Sequence, residues 1–357
     1  MFPYYFILIV EIILFLFLNK HRKKDQKECL LITMLLLFFF SAFRDITVGG
    51  DLERYLPEFN SIANESLYKI VTEGYGTRER GFAIFEKIIS LVCNSSFAFI
   101  LANSVVCIYL AYRSIKFNSC NYILSSLLFT LLLYTNSFNI LRASIAVLLG
   151  LNMMQSIVNR KVKTFYLLLI LATSIQKTSI VMVPMYYLWN LNFRAKGLYI
   201  IIGCSIIASF ILTGSSIIDI LTGVFGYTFK DDGELDFWSE TSSGLTTMSI
   251  FLTGITIYSI FVYSRSKRID KISEFFIFVL TIATCFQFFS SIFTLVNRFS
   301  LFYYSYIILA IPYLFKNYPK AFPPLIRGFI IIAFIMLYIK GLSKDVQHIV
   351  PYKFIFI

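Results

Sequence analysis

Residues 1–43 read MFPYYFILIVEIILFLFLNKHRKKDQKECLLITMLLLFFFSAF, two apolar runs at 3–18 and 29–43 flanking a segment that holds Lys20, Arg22, Lys23, Lys24 and Lys27. A hydrocarbon core about 30 Å thick takes roughly 20 apolar residues of helix to cross. Lipid offers unpaired backbone groups no partner, so helices are the expected spanning element. Strand-like alternation is absent, which argues against a barrel. Working outward, the same pattern recurs at 96–112, 121–137, 138–158, 164–175, 178–190, 197–213, 246–263, 274–296, 299–315 and 325–340, twelve runs in all. The expected fold is an all-α polytopic membrane protein of about twelve transmembrane helices, one integral membrane domain over residues 1–357. Its larger extracytoplasmic loops fall at 44–95 and 214–245.

Composition supports this reading. The 357 residues are 58% hydrophobic and only 15% charged, whereas soluble domains carry about 25% charged residues. A net charge of +12 could suggest nucleic acid, but the Lys and Arg punctuate apolar runs instead of clustering on one soluble face. If alternate loops from 19–28 onward are cytoplasmic, they collect nineteen of the 32 basic residues against Asp25, Glu28, Asp270 and Glu274. The basic bias of short loops sets orientation. The first apolar run precedes its charges, so helix one is expected to insert with its N-terminus outside. The six cysteines form no CxxC pair and read as small core thiols. His21 and His348 are the only histidines, and both read as bland loop residues. No Walker loop, GxGxxG or HExxH occurs, so no metal or cofactor is expected.

Two features bend the pattern. Residues 164–190 carry Gln176 and Lys177 at their middle. One long span would invert every later loop, so the charge rule favours a re-entrant or short helical hairpin. A limb of about 12 residues reaches only about 18 Å, which places the turn below the outer surface, beside protein or water. That turn points to an outward-facing polar cavity. The second feature is Phe82–Val92, where Phe82, Phe85, Ile88, Ile89 and Val92 share one helical face and Glu86 and Lys87 the other. It is too short to span and is expected in the outer interface.

The polar residues on the outward side suggest chemistry. Between Phe43 and Phe59, Gly49 and Gly50 precede Asp51, which either caps a helical turn bearing Leu52, Tyr55, Leu56 and Phe59 or accepts a proton from an attacking hydroxyl. Glu79 is the next carboxylate in line, and Arg80 follows it. Arg142 lies about one turn inside its helix and Arg298 at an outer junction. Charges within a membrane default to functional hypotheses, and snorkelling is the bland alternative. Guanidinium forks suit bidentate phosphate binding, so Arg44, Arg142, Lys177 and Arg298 together would suit a lipid diphosphate.

At these residues the sequence resembles the EpsG-type branch of the Wzy polysaccharide polymerases. The shared elements run in order: Arg44 with Gly49, Gly50, Asp51 and Tyr55; Glu79 with Gly81 and Phe82; Leu141-Arg142 with Ile145 and Ala146; and Arg298 ahead of Pro312. Two positions depart: Gly50 stands where the family usually has Thr or Asn, and Gln176 where it usually has His. The resemblance implies a GT-C-like, nucleotide-independent glycosyltransferase in the bacterial cytoplasmic membrane, its active site facing the periplasm or exterior. It would join undecaprenyl-diphosphate-linked repeat units into O-antigen, capsule or exopolysaccharide. Implied partners are those lipid-linked glycans, membrane lipids, a chain-length regulator and a flippase, without nucleic acid. Arg142, Arg298, Asp51 and Glu79 would carry the chemistry, with Arg44, Tyr55, Arg80, Gln176 and Lys177 binding substrate, Arg44 serving either structure or phosphate. A ligase that passes finished glycan to another acceptor would share the donor chemistry. A glycan flippase would share the basic cavity but is expected to show internal repeats, and none is found.

Overall fold

The computed structural model describes residues 1–18, 23–76, 78–211, 246–266, 270–290, 294–345 and 347–356. The loop expected at 214–245 lies outside them, as do Lys20, His21, Arg22, Lys267 and Arg268. Every regular element among the described residues is helical. In chain order these are α1 (Phe2–Leu18), α2 (Lys23–Ala42), α3 (Leu52–Asn64), α4 (Leu67–Thr72), α5 (Arg80–Val92) and α6 (Ser96–Asn118). Then come α7 (Tyr122–Phe129), which continues as a π-turn over Thr130–Tyr134, α8 (Asn136–Asn139), α9 (Leu141–Val158) and α10 (Val162–Ile175). A 3₁₀ turn, Lys177–Met182, leads into α11 (Val183–Leu188) and α12 (Ala195–Ile211). The last are α13 (Thr247–Arg265), α14 (Lys271–Phe289), α15 (Thr294–Tyr304), α16 (Ile307–Asn317) and α17 (Pro324–Lys344).

Six helices among the described residues are long and apolar enough to cross a membrane: α6, α9, α13, α14, the stretch Val296–Asn317, and α17. Four shorter apolar helices accompany them: α1, α7 with its π-turn, α10 and α12. The chain is a multi-pass, all-helical membrane protein.

It divides into two compact units. The first comprises Met1–Ile180 and Ile311–Ile357. Within it α6 packs on α2 and α9, α9 on α10, and α5 on α3, α4, α6 and α10. The second comprises Val181–Ala310, where α14 is the centre for α11, α12, α13 and α15. Its core joins Leu198 and Ile202 to Ile260, Ile277, Phe278 and Phe288.

Chain breaks fall where the sequence weakens the helix. Between α10 and the 3₁₀ turn, Gln176 is extended (φ −146°, ψ 108°) and only 4% exposed, with Thr178 and Ser179 fully buried beside it. Protein therefore covers the break at Gln176, Thr178 and Ser179, while the Lys177 side chain stays exposed. Helix α3 runs through Pro57 and buries Leu52, Tyr55, Phe59 and Ile62.

Helix α5 corrects the sequence reading. Ile88 and Val92 are exposed, while Glu86 is fully buried and Lys87 nearly so. The charged face turns inward because it has partners: Glu86 receives Arg78, and the Lys87 ammonium donates to the Ala63 carbonyl at 2.8 Å. Paired charges of this kind can be buried where unpaired ones cannot.

The chain after α17 forms a strap across the segment that follows α2. Asp45 N–H donates to the Lys353 carbonyl (2.9 Å), Ile355 N–H to Phe43 (3.0 Å) and Gly49 N–H to His348 (2.9 Å). The Tyr352 hydroxyl donates to the Phe40 carbonyl at 2.7 Å and the Tyr4 hydroxyl to the Ile349 carbonyl at 2.8 Å. Gly49 must be glycine here, since its φ is +112° and a Cβ would run into the Phe138 carbonyl.

Candidate functional site

Arg142 is the second residue of α9, placed in the first turn by the break at Ile140. Its Nε donates to the Tyr55 hydroxyl at 3.2 Å and its Nη1 to Glu79 Oε2. Its Nη2 makes no hydrogen bond among the described residues, and the side chain is 27% exposed. One edge of the guanidinium is thus held and the other faces outward, the arrangement an anion can take end-on.

Glu79 connects two chain breaks. It precedes the first turn of α5, and its second oxygen accepts the Lys177 backbone N–H at 3.3 Å, where the 3₁₀ turn begins. The Lys177 side chain is exposed and unpaired among the described residues. Gly81 makes this junction possible, because a Cβ there would collide with the Ser174 side chain and carbonyl at the end of α10. With one oxygen on Arg142 and the other on a backbone N–H, Glu79 serves as a counter-ion that positions Arg142.

Asp51 is tied through its backbone to the segment just before α9. Its backbone N–H donates to Asn139 Oδ1 at 2.7 Å, three residues before Arg142. It stands at the N-cap position of α3 in α-helical geometry, and its side chain makes no capping bond. The capping role considered from sequence is therefore absent.

The other sequence candidates have surroundings of their own. Arg44 is 1% exposed, donates from Nη1 to the Ser41 carbonyl (2.6 Å) and Ser104 Oγ (3.4 Å), and faces the Phe138 ring at 4.5 Å. Burial lowers its guanidinium to about 10. The side chain therefore stays cationic at neutral pH and stitches helix ends together. Arg80 is exposed and lies along Gly74. Gln176 bonds Thr178 Oγ1 at 3.1 Å. Arg298 is half-buried in α15, in the second unit.

Arg78 escaped the sequence reading. Its side chain is 4% exposed, pairs with Glu86 Oε1 at 3.0 Å and with Glu58, and lies 4.7 Å from the Tyr55 ring centroid. Arg142 lies 5.7 Å from the same ring, so Tyr55 is wedged between two guanidiniums. Burial pushes the Glu86 carboxyl, which lies outside the spanning helices, up to about 8, with Arg78 pulling the other way. An Arg eight residues before a Glu carries no legible signal until the start of α5 is known.

Breaking a buried pair costs about 3–5 kcal/mol, whereas replacing both partners by apolar groups can be nearly neutral. Arg78→Ala should therefore lower the unfolding midpoint of the purified protein sharply. The pair Arg78→Met with Glu86→Leu should recover most of the loss. A double variant as unstable as the single ones would show that Arg78 supports the fold through Tyr55 and not through Glu86.

Among the described residues no group of three or more His, Cys, Asp and Glu could hold a metal ion. The fold and site define a multi-pass membrane protein whose segment between α2 and α6 packs an Arg-Glu-Tyr cluster onto the first turn of α9, a helix long and apolar enough to cross a membrane. Residues 27–354 match the model of the EpsG family, and the chain belongs to that family, which is associated with membrane proteins of exopolysaccharide biosynthesis. Among curated proteins and solved structures none matches the chain.

Proposed function

We propose that this protein joins lipid-linked oligosaccharide repeat units into polysaccharide at the outer face of the cytoplasmic membrane, as a nucleotide-independent glycosyltransferase with about twelve spans and a short hairpin through Gln176. The observation that carries this reading is Arg142, clamped by Tyr55 and Glu79 on one edge and open on the other, with the Lys177 side chain free nearby. Such a site fits the diphosphate of an undecaprenyl-diphosphate donor.

The chemistry asks little more. The terminal hydroxyl of the acceptor unit attacks the donor's anomeric carbon, the bond from that carbon to the diphosphate breaks, and the leaving group departs with its electron pair. Arg142 and Lys177 stabilise the charge that develops on it. Asp51 takes the hydroxyl proton. Glu79 and Tyr55 keep Arg142 aimed, and the membrane-embedded helices align two lipid-linked substrates.

Deleting the gene tests the reading through the surface polysaccharide. Loss of this activity leaves single repeat units on the acceptor. Loss of a ligase leaves none, and loss of a flippase leaves lipid-linked units on the cytoplasmic side.

Sidedness is a separate expectation. Cysteines introduced at 161 and 268 should label from the cytoplasm and one at 231 from outside, following the basic bias. Outside labelling at 268 together with inside labelling at 231 would remove the hairpin and invert every later loop.

A further inference from the structure

Glu11 sits near the middle of α1, 2% exposed, in a stretch otherwise made of apolar residues. Its Oε1 accepts a hydrogen bond from Ser126 Oγ at 3.1 Å, while Oε2 is buried without a partner. Two further buried oxygens on the neighbouring elements are left without a partner: Thr130 Oγ1, at the first residue of the π-turn and about one turn on from Ser126, and the Tyr338 hydroxyl of α17. Helix α1 packs on α7, and α17 packs on the π-turn, so segments far apart in sequence bring these four side chains onto adjoining elements.

Such a grouping asks for an occupant. Each buried polar group left unsatisfied costs about 1–3 kcal/mol, and ionisable groups inside a membrane default to functional sites. No basic side chain among the described residues pairs with Glu11. A single carboxylate balances one positive charge, which excludes a divalent ion as the natural match. The ligands are all hard oxygens, which suit alkali and alkaline-earth cations rather than soft metals. A π-turn also marks functional positions more often than chance would place it.

We propose that Glu11, Ser126, Thr130 and Tyr338 form an intramembrane site for one sodium ion. The site neutralises the carboxylate of Glu11 and ties α1 to the π-turn and α17. It stands apart from the Arg142 cluster and does not depend on the glycosyl-transfer reading.

The test uses the full-length protein in nanodiscs and radioactive sodium. The expected result is saturable binding of about one Na⁺ per chain, displaced by unlabelled Na⁺ and not by choline, with an unfolding midpoint that rises with Na⁺ at fixed ionic strength. Glu11→Gln keeps the shape and the bond from Ser126 but removes the charge, and should abolish binding. Thr130→Val should weaken it by about tenfold, the effect of losing one oxygen ligand. Wild-type protein that binds no Na⁺ overturns the proposal whatever the variants do. So does an infrared band of a protonated carboxyl that Na⁺ leaves unchanged and Glu11→Gln removes, since the occupant would then be a proton alone.

Discussion

Arg142→Ala is expected to eliminate long polymer by more than any fall in protein abundance, since Glu79, 8% exposed, also loses its charge partner. The guanidinium is 27% exposed and its partners keep other contacts: Glu79 keeps the Lys177 N–H, and Tyr55 keeps its packing on Phe82 and Phe99. What disappears is the charge aimed at the leaving group. Losing one preorganised donor at a developing negative charge costs about 10²- to 10³-fold in rate. Arg142→Lys should fall close to Ala. An ammonium cannot hold Tyr55 and Glu79 and also present a planar fork to a diphosphate. Chain-length profiles from strains carrying each variant, normalised to protein abundance, make the comparison. Full-length polymer with Lys would mean that a point charge suffices and that the fork is irrelevant.

Asp51→Asn should cost about 10²- to 10⁴-fold, the usual worth of a general base. The structure sharpens the test, because Asp51 makes no capping bond and its backbone bond to Asn139 is indifferent to the side chain. Asn preserves shape but cannot take up a proton at neutral pH. Asn should leave abundance unchanged and stop elongation, with single-unit product persisting. Normal chain lengths in Asp51→Asn would remove Asp51 from the mechanism. Glu79→Gln would then come next, and its expected signature is weakened donor binding, since Glu79 acts through Arg142.

The membrane class was legible in the sequence because apolar runs and loop charges are composition-level signals that survive without tertiary knowledge. The break at Gln176 was legible for the same reason, as two polar residues in a 27-residue apolar stretch leave few alternatives. The pairing of Arg142 with Glu79 was not, since 63 residues separate them and nothing local encodes which carboxylate an arginine will meet. Helix α5 misled for a related reason. Helical spacing identified two faces, but burial of the charged one depends on Arg78 and Ala63, which lie outside the helix. Arg44 read as an outward cation because it follows α2 directly. The strap after α17 instead covers that position through the bridge to Phe354, a contact between opposite ends of the chain.

The measurement that reaches the central claim most directly is reconstitution of the purified protein in nanodiscs with lipid-linked repeat units of its own host and no nucleotide sugar. The account predicts a ladder of lipid-linked products that grows by whole repeat units, releases undecaprenyl diphosphate in step with each addition, and vanishes with Arg142→Ala. Units that stay single in the presence of active wild-type protein, or that pass once to a non-glycan acceptor without elongation, would contradict it.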